Sequence, residues 1–215
     1  MVYKTNRKED TRLELIVNEF LDDYFLSKEF DATRWVVEKE EQLSGVDIYL
    51  TSEKHGLNEA KVDIKSAVKY SNCYLSTFSL ELSFIGYRGG EKTGWFLNDS
   101  LETEYYLLLY PRSQKYYTDM IFKDDIDYID YYLVKKDDLM KFFKSRGYDK
   151  ERLLEVSDEM REEFAEKGGD KIIRDSGSEN FHFTLSGRLA EQPVNIVVKR
   201  QVYEKYATMK GRITK

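Results

Sequence analysis

The stretch Gly45-Val46-Asp47-Ile48-Tyr49-Leu50-Thr51, followed after Ser52-Glu53-Lys54-His55-Gly56-Leu57-Asn58 by Glu59-Ala60-Lys61-Val62-Asp63-Ile64-Lys65-Ser66-Ala67-Val68, decides how this chain is read. Val46 to Thr51 and Glu59 to Val68 read as strands. The polar segment between them, with its one glycine, predicts a hairpin centred near His55. Antiparallel partners across a turn have residue numbers of constant sum, about 110 for this centre, which makes Asp47 and Asp63 cross-strand neighbours. Side chains alternate along a strand, so Val46, Ile48, Leu50, Val62 and Ile64 share one face. Asp47, Asp63 and Lys65 share the other. An apolar face can then enter a core while the charged face forms a site.

An acidic residue, any residue and a lysine is a weak pattern by itself. With 40 acids among 215 residues, random order gives about four matches, the false-positive risk of short motifs. The chain has two, Glu59-Ala60-Lys61 and Asp63-Ile64-Lys65, both on the second hairpin strand. Register selects the second, because Glu59 falls opposite Thr51, roughly 13 Å along the strand from Asp47.

These residues resemble the PD-(D/E)XK nuclease superfamily, the restriction-endonuclease-like fold. Its pattern is a helix with a Glu, a strand with an Asp, and a strand with Asp or Glu, any residue, and Lys. Here the helix runs from Thr11 to about Leu26, with Glu19 as the match. Val46 departs from the pattern by standing where the family has Pro. The resemblance covers roughly residues 6 to 110 as element order, and it implies a metal-dependent nuclease hydrolysing phosphodiester bonds of DNA, RNA not excluded. It assigns Mg²⁺, with Mn²⁺ as substitute, to Asp47, Asp63, the Ile64 backbone carbonyl and Glu19, since Mg²⁺ takes hard oxygen ligands and keeps several waters. The ion polarises phosphate and acidifies water, and Lys65 orients or deprotonates that water. The resemblance also admits a homodimer. The bland alternative for Asp47 and Lys65 is an ordinary ion-paired, solvated strand face. For Glu19 it is a solvated helix surface shared with Glu14, Asp22 and Asp23.

The rest of the chain fits an α/β fold, α+β being the alternative, with a central mixed sheet flanked by helices and a C-terminal elaboration. Leu13, Ile16, Val17, Phe20 and Tyr24 form the apolar stripe of the first helix, and Thr11 with Glu14 suits a capping box. Arg34 to Lys39 reads as a first strand. Tyr74 to Ile85 alternates, putting Glu81 where it could line the same site. Arg88 and Lys92 stand in the glycine-rich loop Gly86 to Gly94. Gly94 to Asn98 and Glu104 to Tyr110 read as strands, the latter stopped by Pro111. Ile126 to Val134 leads into a helix from Asp137 to Ser145, and Glu151 to Glu166 is a helix ended by Gly168-Gly169. Phe181 to Leu185 and Val194 to Val198 are further strands, and His182 is assigned to packing. The division is a nuclease-like core, 1–146, and a helical and β extension with a basic tail, 147–215, which could also belong to the same domain.

Composition, 41% hydrophobic and 34% charged, is that of a soluble globular enzyme. The lone Cys73 excludes an internal disulfide. No apolar run spans a membrane and the charged start is unlike a signal peptide, so a cytoplasmic location without membrane partners is expected. The formal net charge of −6 would repel a polyanion, but Val194 to Lys215 carries a local +5, leaving −11 elsewhere. That tail could track a nucleic-acid backbone or be a frayed terminus, and Asp119 to Asp138 reads as an acidic, solvated surface. Two other classes stay open: a non-catalytic nucleic-acid- or protein-binding member of the fold, and an acidic interaction protein mimicking nucleic acid.

Overall fold

In the computed structural model, which describes residues 7–115 and 120–215, the hairpin forms with the expected register. Strands β1 (Ala32–Trp35), β2 (Ile48–Ser52) and β3 (Leu57–Ser66) make an antiparallel meander in which Ile48 faces Val62 and Leu50 faces Ala60. The register slips between Leu50 and Ser52, and a single 3₁₀ turn, Glu53–His55, makes the connection. Glu59 sits at this irregularity with a φ of 47° and takes a bond from its own N–H to Thr51 Oγ1. A non-glycine residue in the left-handed region is costly, so the Glu59-Ala60-Lys61 segment begins in a distorted part of the strand.

Helix α1 (Arg7–Leu21) starts before Thr11, which therefore lies inside the helix rather than capping it. A π-helical turn (Asp22–Leu26) and two short helices, α2 (Ser27–Glu29) and α3 (Lys39–Leu43), follow. The apolar stripe is as periodicity demands: Leu13, Ile16, Val17 and Phe20 are buried against Ile48, Leu50, Val62, Leu107 and Leu109, with Tyr24 packed beside them. Trp35 Nε1 donates to Asp22 Oδ1 at 2.8 Å, tying the π-helical turn to β1.

After β3 the chain contributes β4 (Thr77–Ile85) and β5 (Glu91–Thr93) elsewhere, then returns as β6 (Tyr105–Ser113), parallel to β3. Strand β7 (Ile126–Lys135) follows antiparallel, succeeded by helices α4 (Lys136–Lys144) and α5 (Lys150–Lys167) and strands β8 (Lys171–Asp175), β9 (Phe181–Ser186) and β10 (Val194–Lys199). The chain closes with α6 (Arg200–Tyr206) and β11 (Ala207–Thr214). The fold is mixed α/β with a mixed central sheet, order β1-β2-β3-β6-β7-β11, flanked by helices.

Two compact units result, both discontinuous in sequence, rather than a division at 146. Of the described residues, 7–76, 101–115, 120–137 and 203–215 form the first, around the six-stranded sheet. Thr77–Ser100 and Asp138–Val202 belong to the second, around the antiparallel sheet β5-β4-β10-β9-β8. In that second unit Phe142, Phe143, Tyr148, Phe181 and Phe183 make a cluster of edge-to-face and tilted rings. Asp149 caps α5 by accepting from Arg152 N, and Gly168, at φ 64°, ends it.

Four further expectations change. Gly94 to Asn98 is a turn, and the strand of that region is β5, before Gly94. Strand β6 runs through Pro111, because β3 has ended by then and Pro111 needs no partner on its N–H side. The acidic, tyrosine-rich segment (Asp119 lies outside the described residues) holds β7, an inner strand with Asp130, Tyr131 and Tyr132 buried. The basic tail is neither frayed nor loose: β11 pairs along β7, and Arg212 donates to both oxygens of Asp130, at 2.7 and 3.2 Å.

Candidate metal and phosphate site

The hairpin delivers Asp47 and Asp63 to one place. Asp47, one residue before β2 begins, is tied to the partner strand by its N–H, which donates to Val62 O at 2.9 Å. Gly45 makes that entry: it has φ 78°, its carbonyl accepts from Thr103 Oγ1 at 2.6 Å, and a Cβ there would lie 2.9 Å from the same oxygen. No side chain fits that approach.

Asp47 Oδ2 accepts from Ile64 N at 2.7 Å, and Lys65 Nζ donates to Asp63 Oδ1 at 2.6 Å. The N–H and C=O of one strand residue leave the strand on the same side. The Ile64 carbonyl therefore points toward the Asp47 side, where β2 has already ended. Asp63 is enclosed, with a side chain 5% exposed, whereas that of Lys65 is 30% exposed.

Charge in this cluster is unbalanced. Burial pushes the Asp63 carboxyl up, and although Lys65 opposes the shift, Asp47 adds to it, leaving Asp63 at about 7. Burial pulls Lys65 down, but Asp63, Asp47 and Glu14 outweigh it and hold the ammonium above its ordinary value. Tyr106, opposite Asp63 on β6, is pushed up by burial and then by the Asp63 charge. Two carboxylates around one lysine form a set that one further cation would satisfy.

A pocket of about 360 Å³ opens on this cluster, lined by Asp47, Ile64, Lys65 and the turn Ser66 to Tyr70 on one side and by Leu13, Glu14, Val17 and Asn18 of α1 on the other. Glu14 is the helix acid that lines it; Glu19 does not. Glu19 stands five positions further on, which turns it about 140° around the helix. There its charge acts on Lys123, which is paired with Asp23. Glu81 lies on β4, in the second unit. Lys61 is paired with Glu102, and Lys69 lines the pocket. The signal for Glu14 was present, since it stands beside Leu13 and one turn before Asn18, but Glu19 is equally adjacent to Phe20.

The donor set fits a hard cation. Among the described residues no group of three or more His, Cys, Asp or Glu side chains is arranged to hold a metal ion. Mg²⁺ commonly uses one or two carboxylates and fills its shell with water and phosphate oxygens, which two aspartates and a carbonyl can begin. Comparison with family models, curated proteins and solved structures gave no match. None of the described helices is long and apolar enough to cross a membrane.

Proposed function

We propose that the chain is a metal-dependent phosphodiesterase acting on nucleic acid, built on a restriction-endonuclease-like PD-(D/E)XK core. The observation that carries the reading is the pairing of Lys65 with the buried Asp63, which also lies against Asp47, at a pocket whose wall holds Asp47 and Lys65 but not Asp63. The helix, strand, hairpin-partner order and the mixed sheet support it. Asp47, Asp63 and the Ile64 carbonyl are the ligands for Mg²⁺ or Mn²⁺, which when bound supplies Lewis-acid polarisation of the phosphate and acidifies water.

The protein's own groups have separable tasks. Lys65 keeps its proton at neutral pH, because its value is raised. In that state it can donate to a phosphate oxygen or hold the attacking water. The Ile64 N–H fixes the Asp47 carboxylate, so the rotamer is set before substrate arrives. Glu14 takes the helix role assigned by sequence to Glu19, orienting water from the opposite wall.

The test is incubation with single- and double-stranded DNA and RNA under Mg²⁺ and Mn²⁺, beside Asp63→Ala and Lys65→Ala. Loss of about 10²–10³ in rate for Lys65→Ala, the effect of removing one preorganised donor, is expected. Cleavage unchanged in both variants removes the assignment.

A further inference from the structure

The pocket lined by Asp47 and Glu14 also has an aromatic ring in its wall. Tyr70 lines it together with Lys65 and Lys69, yet the residue is 57% exposed. Among the described residues its side chain has no ring or hydrogen-bonding partner. A lone exposed ring is ordinary on a protein surface. This one differs in its footing.

Tyr70 closes a 3₁₀ turn, Val68–Tyr70, pinned on both sides. Ala67 N donates to Leu109 O at 3.0 Å and Tyr70 N to Ala67 O at 2.9 Å. Ser113 N then donates to Ser71 O at 2.9 Å, and Val68 is buried beneath the turn. The turn is thus bonded to β6 before and after the ring. A ring on such a base loses little freedom when a flat ligand docks on it.

Resting on the phosphodiesterase reading, we infer that Tyr70 is a base-stacking platform and that the site takes single-stranded nucleic acid. The phosphate sits by Asp47 and Lys65, with a neighbouring base against Tyr70 and Lys69 beside the backbone. Bases inside a duplex have both faces covered by their neighbours, so a protein ring stacks without an unstacking cost on an unpaired base but not within a duplex. Every base has such a face, and the platform therefore sets strandedness rather than sequence.

Binding is read by fluorescence anisotropy in Ca²⁺ with a single-stranded oligonucleotide, as DNA and as RNA, and with the duplex of the same sequence. Wild type binds the single strand more tightly than the duplex. Tyr70→Ala weakens single-strand binding about tenfold, within the range of one base–aromatic stack. Tyr70→Phe binds like wild type, and duplex binding is indifferent to both variants. Equal affinity of wild type for both forms, no binding, an unchanged Tyr70→Ala variant, or a Tyr70→Phe variant as weak as alanine overturns the inference. Cleavage by Lys65→Ala, measured in parallel, separates the two claims. Lys65-dependent cleavage with an indifferent Tyr70 sinks only the platform, and Lys65-independent cleavage with Tyr70-dependent binding sinks only the catalytic centre.

Discussion

Two charged clusters in this molecule are opposites. On α5 of the second unit, Glu159 accepts from Arg152 and Arg174, and Glu163 accepts from Arg174 and Lys167. Arg152 hydrogen-bonds to Glu159 and lowers its pKa, as Arg174 does to a smaller degree. In the hairpin, Asp63 shares one lysine with Asp47 and is raised to about 7. With Glu155, which also accepts from Arg152, the α5 cluster is balanced, three acids against three bases, and partly open to solvent; the hairpin cluster is enclosed and short of one positive charge. Ion pairs of the first kind stabilise little. The second kind costs stability, and such a cost is retained where a charged ligand is expected.

The largest expected break in this contrast is kinetic and concerns Lys65, through the fall in cleavage given above. Next is the acid of the pair. Asp63→Asn should stabilise the metal-free protein on the order of 1–3 kcal/mol at pH 8 while abolishing metal binding, because a buried carboxylate is replaced by a neutral group of the same shape. Thermal melting with and without Mg²⁺ reads both effects, and a destabilised Asp63→Asn variant would show that the aspartate is held there for the fold.

Third is pH. Asp63 is raised from 3.8 to about 7, so the folded protein holds a proton that the unfolded chain releases. Its stabilising contribution is present below its ordinary value and lost as pH climbs through about 7. Glu159, being lowered, contributes in the opposite sense: its share is present above its ordinary value and lost on acidification. Because metal must displace the Asp63 proton, Mg²⁺ affinity measured by calorimetry should rise about tenfold per pH unit below 7 and level off above it. A flat profile would mean that Asp63 is not a ligand.

Fourth, Glu14→Ala should lower cleavage about tenfold, as loss of a water-orienting group would, while Glu19→Ala stays within about twofold. The reverse order would return the helix role to Glu19. Smallest is Arg152→Ala, expected to cost less than about 1 kcal/mol in chemical denaturation and to fade with added salt.

How much of this was legible in the sequence follows from the range of each interaction. The hairpin is local, so turn composition and alternation fixed its register and placed Asp47 beside Asp63. The apolar stripe of α1 was equally local. Which flank of that stripe meets the hairpin was not: Glu14 and Glu19 border it on opposite sides, and only the seating of α1 on the sheet chooses between them. Strand β4 alternates as read, but its partners are β5 and β10, and Val198 faces Phe78 across a long separation that alternation cannot report. The same distance hid β11 and made Asp130 look like a solvated acid, although Arg212 waits for it at the far end of the chain.

Of the two edge strands of the six-stranded sheet, β1 is made first and β11 after all the others of that sheet. Strand β7 has β11 as its neighbour on the side away from β6, so a ribosome that has released only the first 137 residues has exposed α1, β2 and β3 but left β7 an open edge. Pairing over so many residues is slow, and an open strand edge invites wrong partners. During synthesis the centre's side chains are therefore present well before the sheet that holds them is closed. A growing chain should gain its protected hairpin-unit sheet abruptly, at the emergence of Ala207–Thr214.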